Sequence, residues 1–192
     1  MQTAAVPARP GRAPAMPAEE RRALIVRATR PLLAEHGEAV TTRQIAQAAG
    51  IAEGTIFRVF ADKDDLLRAV VADAIDTAPL ERALRAIHLD QPFEARVLAA
   101  TEVLQRRVLD VWAVLSNVSP RVRQQVARAL PDSEALTALF EPDQQRLTIE
   151  PRAAARLLRA LTLALTHPVM AEEPMPAAQA VALFLHGVER PA

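Results

Sequence analysis

Thr41 and Gln44 stand three residues apart just ahead of an apolar helical pattern, and Gly50 closes that pattern two turns later. A threonine side chain at a helix start accepts from the N–H of the third helical residue, and a glutamine there returns a bond to the threonine N–H, so a helix begins at this point. Ile45, Ala46, Ala48 and Ala49 carry it, and Gly50 is free to take the positive φ that stops it. A second short helix is expected over 53–60 with Ile56 and Phe60 inward, and Asp62 caps a longer one bearing Leu66, Leu67, Val70, Val71 and Ile75. Ahead of them, Leu24, Ile25, Ala28, Leu32 and Leu33 give helical spacing over 18–36, with Pro17 at the start, Gly37 at the stop and a bend expected at Pro31. Two short helices joined by a tight turn at Gly50 and Ile51 make a helix-turn-helix, with Ile45, Ile51 and Ile56 filling the space between them.

The rest of the chain extends the helical reading. Residues are 51% hydrophobic and 3% aromatic, with no tyrosine and five glycines in 192 residues, a mixture that favours helix over sheet. Helices are expected over 80–87, 93–118, 120–130, 132–140, 151–166 and 177–187, after a break at Pro79. The organisation that follows is a basic arm over 1–17, a helix-turn-helix domain over 18–78 and a larger helical domain over 79–192. Lys and Arg total 23 and so do Asp and Glu, which excludes a histone-like basic protein. Charge is nevertheless uneven: Arg9, Arg12, Arg21, Arg22, Arg27 and Arg30 face only Glu19 and Glu20 across the arm and first helix. Such a local surplus steers DNA, or serves a solubilising tail.

Several function classes are excluded. No cysteine is present, so there is no disulfide framework, thiolate metal site or cysteine nucleophile. His36, His88, His167 and His186 lack the spacing of a helical metal pair, no phosphate-binding glycine loop occurs, and the adjacent acids Asp64-Asp65 and Glu172-Glu173 point apart on a helix. No catalytic residue, metal or cofactor is therefore expected. The uncharged part of 160–171 and the stretch 174–188 fall short of a bilayer span, and the arm has no signal-peptide core, so a cytoplasmic protein is expected.

The outward positions of the helix-turn-helix are Thr42, Arg43, Glu53, Thr55, Phe57 and Arg58. Side chains on the second helix of such a unit reach base edges in the major groove, while Thr42, Arg43 and Lys63 lie where phosphates pass. The stretch LLAEHGEAVTTRQIAQAAGIAEGTIFRVFADKDDLLRAVV, about a quarter of the chain, resembles the N-terminal domain of the TetR/AcrR family of transcriptional regulators in its ordered helix-Gly, Thr-Thr, Ile-Ala, Ala-Gly-Ile, Gly-Thr-Ile, aromatic, Phe and Lys-x-x-Leu elements. The resemblance implies backbone contacts from Thr42 and Arg43, base reading by Thr55, Phe57 and Arg58, and a phosphate contact from Lys63, the chain's single lysine; a solvated surface charge is the other reading of Lys63. Two residues depart from the family pattern. Phe57 replaces a usual tyrosine, leaving a ring that packs on sugar or a thymine methyl, or else into the core, and Val59 removes another polar contact.

The same resemblance implies an all-α homodimer that binds a palindromic double-stranded DNA operator, most often as a repressor released by a small-molecule inducer. Residues 153–165 and 181–188 are too apolar all round for surface helices, which places Leu157, Leu158, Leu161, Leu165, Val181, Phe184 and Leu185 in a dimer interface, or in the interior of one protomer. His88, Phe93, Val108, Trp112 and Leu115 are candidates for the inducer pocket, or for plain core. The alternative function is a helical ligand-binding or protein-interaction dimer that keeps the fold and reads DNA weakly.

Overall fold

The computed structural model describes residues 16–124 and 131–188. Ten α-helices and no strand are formed among them: α1 Ala18–His36, α2 Thr42–Ala49, α3 Glu53–Ile56, α4 Lys63–Ile75, α5 Ala78–Arg85, α6 Phe93–Leu115, α7 Pro120–Gln124, α8 Glu134–Ala138, α9 Pro151–Thr166 and α10 Ala177–Val188. Arg9 and Arg12 of the arm, and the expected continuation of the 120–130 helix beyond 124, lie outside the described residues.

Local chemistry sets the N-terminal elements. α1 runs unbroken through Pro31 and stops at Gly37, whose φ of 58° and ψ of −151° suit glycine alone. The Thr41–Gln44 capping box is formed in both directions, with the Thr41 side chain accepting from the Gln44 N–H and the Gln44 side chain accepting from the Thr41 N–H. Gly50 takes the left-handed conformation at φ 66°, and the Ala46 carbonyl accepts from the N–H groups of both Gly50 and Ile51. A side chain at Gly50 would meet nothing within 4 Å, so the turn requires the backbone angle and not the space. Asp62 caps α4 by accepting from the Asp65 N–H.

Some boundaries differ from the sequence expectation. α3 ends at Ile56 instead of Phe60, because the Arg58 and Val59 N–H groups bond three residues back, to Thr55 and Ile56, and loosen the helix into turns. α6 ends at Leu115 instead of 118, with Ser116 closing it, and α8 occupies 134–138 of the expected 132–140. The 3-10 turns Gly37–Ala39 and Glu141–Arg146 carry no periodic signal in the sequence.

Two apolar cores result. The first gathers Ile25, Leu33, Val40, Ile45, Ile56, Phe60, Leu66 and Val70 from α1 to α4 and the turn after α3, and it also takes Val114, Val118 and Val122 from the end of α6 and the segment after it. The second lies among α5, α6 and α8 to α10, where Phe140 sits edge-on between Phe93 and Phe184 at centroid separations of 5.9 and 5.8 Å. Arg96 is buried beside it and donates to the carbonyls of Leu89, Gln91 and Leu139 and to the Asp143 carboxylate, which fixes the loops at both ends of this core.

Candidate functional site

Helices α2 and α3 present one exposed face. Arg43 and Arg58 are exposed on it, and neither forms an ion pair among the described residues, so both charges are available to an outside partner. Phe57 is 53% exposed, which removes the core-packing reading: its ring stands in solvent at the end of α3, while Ile56 and Phe60 beside it are fully inside. Thr55 is half-buried on the same helix. A protruding aromatic ring with a free guanidinium next to it suits a groove in which both sugar and base edges are met.

Thr42 and Lys63 are less free. The Thr42 hydroxyl donates to a Glu53 carboxylate oxygen and ties the start of α2 to the start of α3. The Lys63 ammonium donates to the Glu38 carbonyl, 25 residues away, so this lysine pins the α1–α2 connection to α4 with one of its three N–H groups. Both ties span sequence distances that local pattern does not report.

Glu38 has a second role in the same place. Its carboxylate accepts from the Ser119 N–H at 2.7 Å, so the connection between α1 and α2 is bonded to the corner between α6 and α7. Gly37 packs beside Asn117 in that corner, and Arg121 pairs with Asp64 of α4 at 3.7 Å. The end of α6 is thus held in the N-terminal unit by apolar burial and by a charge-assisted hydrogen bond.

One turn and more back along α6 lies a cavity of about 320 Å³ between α5, α6 and α9. Val108, Trp112 and Leu115 line it, and three residues that were not pocket candidates join them: Arg107, Arg159 and His167. The His167 ring meets Trp112 edge-on at 4.6 Å, and its Nδ1 accepts from the Val169 N–H. Two of the sequence candidates lie elsewhere. His88 is exposed in the turn before α6, and Phe93 is 2% exposed in the second core against Phe140, so neither reaches the cavity. Periodicity marks an apolar residue without saying which neighbour it meets.

The interface candidates divide in the same way. Leu158, Val181, Phe184 and Leu185 are buried inside the protomer's own second core, and Leu161 and Leu165 are half-buried. Leu157 is 45% exposed, on a stripe of α9 with Ala153, Ala160 and Ala164, and Leu183 of α10 is 55% exposed. The outward apolar face of this helix pair is therefore Leu157, Ala160, Ala164 and Leu183, out of phase with most of the residues chosen for bulk. No group of three or more His, Asp or Glu is placed to hold a metal among the described residues, and no described helix is long and apolar enough to cross a membrane.

The fold and this exposed face define a helix-turn-helix unit, and residues 25–70, which make up this unit, match the family described as bacterial regulatory proteins, tetR family. A curated relative, the HTH-type transcriptional regulator HbdR of Aromatoleum sp. (strain CIB), is 32% identical over 101 residues, which span 52% of this chain and 39% of that protein. Among solved structures, a putative TetR-family regulator from Mesorhizobium loti superposes with a TM-score of 0.62 at 15% identity, covering 92% of this chain and all of the other. The reduced form of NemR from E. coli gives 0.60 at 18% identity, over 90% of this chain and 99% of that one. NalD of Pseudomonas aeruginosa, the secondary repressor of the MexAB-OprM multidrug efflux pump, gives 0.53 at 22% identity, over 91% and 100%. These likenesses extend the fold over both units of the chain.

Proposed function

We propose that this protein is a ligand-responsive transcriptional regulator, which binds a two-fold symmetric operator as a homodimer and leaves it when a small molecule fills the cavity beside α6. The observation that carries the reading is the double membership of α6: Val108, Trp112 and Leu115 line the cavity while Val114, one position from Leu115, is buried in the core beneath the helix-turn-helix. A helix held at both places transmits a shift at one to the other, and the Glu38–Ser119 bond fixes the corner where it does so. An inducer acts only through different affinities for the DNA-competent and incompetent arrangements, so the reading requires that occupancy of the cavity and of the operator oppose each other.

On the DNA, Thr55, Phe57 and Arg58 read the major groove, and Arg43, Thr42 and Lys63 meet the backbone. The homodimer forms through the outward face of α9 and α10, where Leu157 and Leu183 otherwise stand in water. Repression is the simplest consequence of occupying an operator, and a cytoplasmic location follows from a DNA target.

In vitro selection from random and genomic DNA by the full-length protein, with Thr55→Ala beside it, tests this reading. The expected result is an enriched two-fold symmetric site that the variant loses. A folded dimer that enriches no sequence overturns it in favour of a ligand-binding dimer with weak DNA reading.

A further inference from the structure

We propose that the cavity beside α6 takes a small amphipathic carboxylate, its apolar body against Trp112 and Val108 and its charge met by Arg107 and Arg159. This rests on the reading of the cavity as an effector site and names the chemistry of the effector.

The walls set the body of the ligand. Leu80, Leu104, Val108, Val111, Trp112 and Leu163 make most of the surface apolar, and a volume of about 320 Å³ lies at the lower end of what small-molecule sites enclose. A large conjugate or a nucleotide is thereby excluded from full enclosure.

The charges set its head group. Four ionisable side chains besides His167 line the cavity, two acidic and two basic, and their partners differ in kind. Glu81 is taken up by Arg85 at 3.5 Å and by the Ala135 N–H at 3.1 Å. Asp132 is held by Arg152 and Arg156, with hydrogen bonds of 2.6 to 2.7 Å that depress its pKa far below the usual carboxylate range. The two cavity arginines have no such partner: Arg107 donates to the Asp76 carbonyl at 2.7 Å, Arg159 donates to the Pro131 carbonyl at 2.6 Å, and neither lies within ion-pair distance of a carboxylate among the described residues. Asp73, Asp76 and Asp110 are close enough to favour the charge on Arg107 without pairing with it, and Asp73 is itself engaged at 4.0 Å by Arg30.

The consequence is a cavity whose acids are already neutralised from outside and whose bases are not. A guanidinium offers five N–H groups, and one backbone carbonyl leaves most of them unused. Burial and the nearby Arg30 lower the pKa of Arg107 more than Asp76, Asp110 and Asp73 raise it, so an entering anion relieves a charge that is partly desolvated. A cation would find no free carboxylate, and a neutral apolar molecule would cover the guanidinium groups without replacing their water. A carboxylate satisfies the planar fork of either arginine.

Trp112 is the only tryptophan in the chain, so its emission reports occupancy directly. Phenylbutyrate and its neutral amide, titrated separately into the full-length protein, share a body and differ in the head group. The acid is expected to bind about tenfold or more tighter than the amide, and Arg107→Met and Arg159→Met each to bring the ratio close to one by weakening the acid. Arg159→Lys is expected to keep part of the preference, and helicity by circular dichroism verifies the fold of each variant. Equal binding of acid and amide to the unmodified protein, or a preference that survives both methionine variants, overturns the anion proposal and leaves the cavity an effector site. Absence of any Trp112 response to either probe at millimolar concentration removes both the proposal and the cavity reading beneath it.

Discussion

The two cores of this chain are built from similar residues and behave differently as structures. The N-terminal core is closed: Ile25, Leu33, Val40, Ile45, Ile56 and Leu66 are fully buried, α2 and α4 begin at side-chain caps, and α1 and α2 end at glycines. The second core packs as tightly around Phe140, yet it leaves a cavity on the side where α5, α6 and α9 diverge, edged by arginines that lack an acidic partner. Under the proposed function, presenting Arg43, Phe57 and Arg58 at fixed spacing is served by rigidity, whereas a response to a ligand needs space and unsatisfied charge. The difference teaches where coupling has to lie. Among the described residues, only α6 contributes buried residues to both, with Leu104 in the second core and Val114 in the first.

The comparison breaks most readily at Phe140. Phe140→Ala removes the central ring of the Phe93–Phe140–Phe184 stack and is expected to cost about 3–5 kcal/mol by denaturant unfolding. Because α6 joins the cores, the loss should lower a single transition; two separated transitions would show that the cores fold independently. Arg58→Ala is expected to cost about 1–3 kcal/mol of operator affinity and to relax preference at one base position, leaving the unfolding midpoint in place. Thr41→Ala deletes the side-chain half of the capping box and should destabilise by about 1 kcal/mol, seen in the unfolding midpoint. Lys63→Ala is the smallest and sharpest. If its remaining protons meet a phosphate, the slope of log affinity against log salt flattens by about one unit across all sequences. An unchanged slope would confine Lys63 to its bond with the Glu38 carbonyl.

How far the sequence spoke also divides along these two regions. Thr41, Gln44, Gly50 and Asp62 each act within four residues of their partners, and all took the conformation that their chemistry predicts. The bounds of α9 were legible for the same reason, with Pro151 at its first position. Side-chain partners across the fold were not. Nothing near Lys63 points to a carbonyl 25 residues back, and nothing near Glu38 points to an amide 81 residues ahead. In the C-terminal unit, hydrophobicity identified α9 and α10 as unusual but not their phase, so interface and interior stayed open for Leu158 and Phe184, which are core, and Leu183 was passed over although it is exposed. Arg107, Arg159 and His167 come together from α6, α9 and the residue after α9, a convergence that depends on packing and leaves no local trace.

The central claim is that the exposed face of α2 and α3 reads sequence, even with phenylalanine at 57 and valine at 59. The most direct measurement is the ratio of affinities of the full-length protein for its selected site and for a scrambled duplex of the same length, at ~150 mM salt in excess competitor DNA. A ratio of about 10³ or more is the result this account predicts. A folded dimer whose ratio stays near one would contradict it, leaving Arg43 and Arg58 as general phosphate contacts on a protein whose business lies in its cavity.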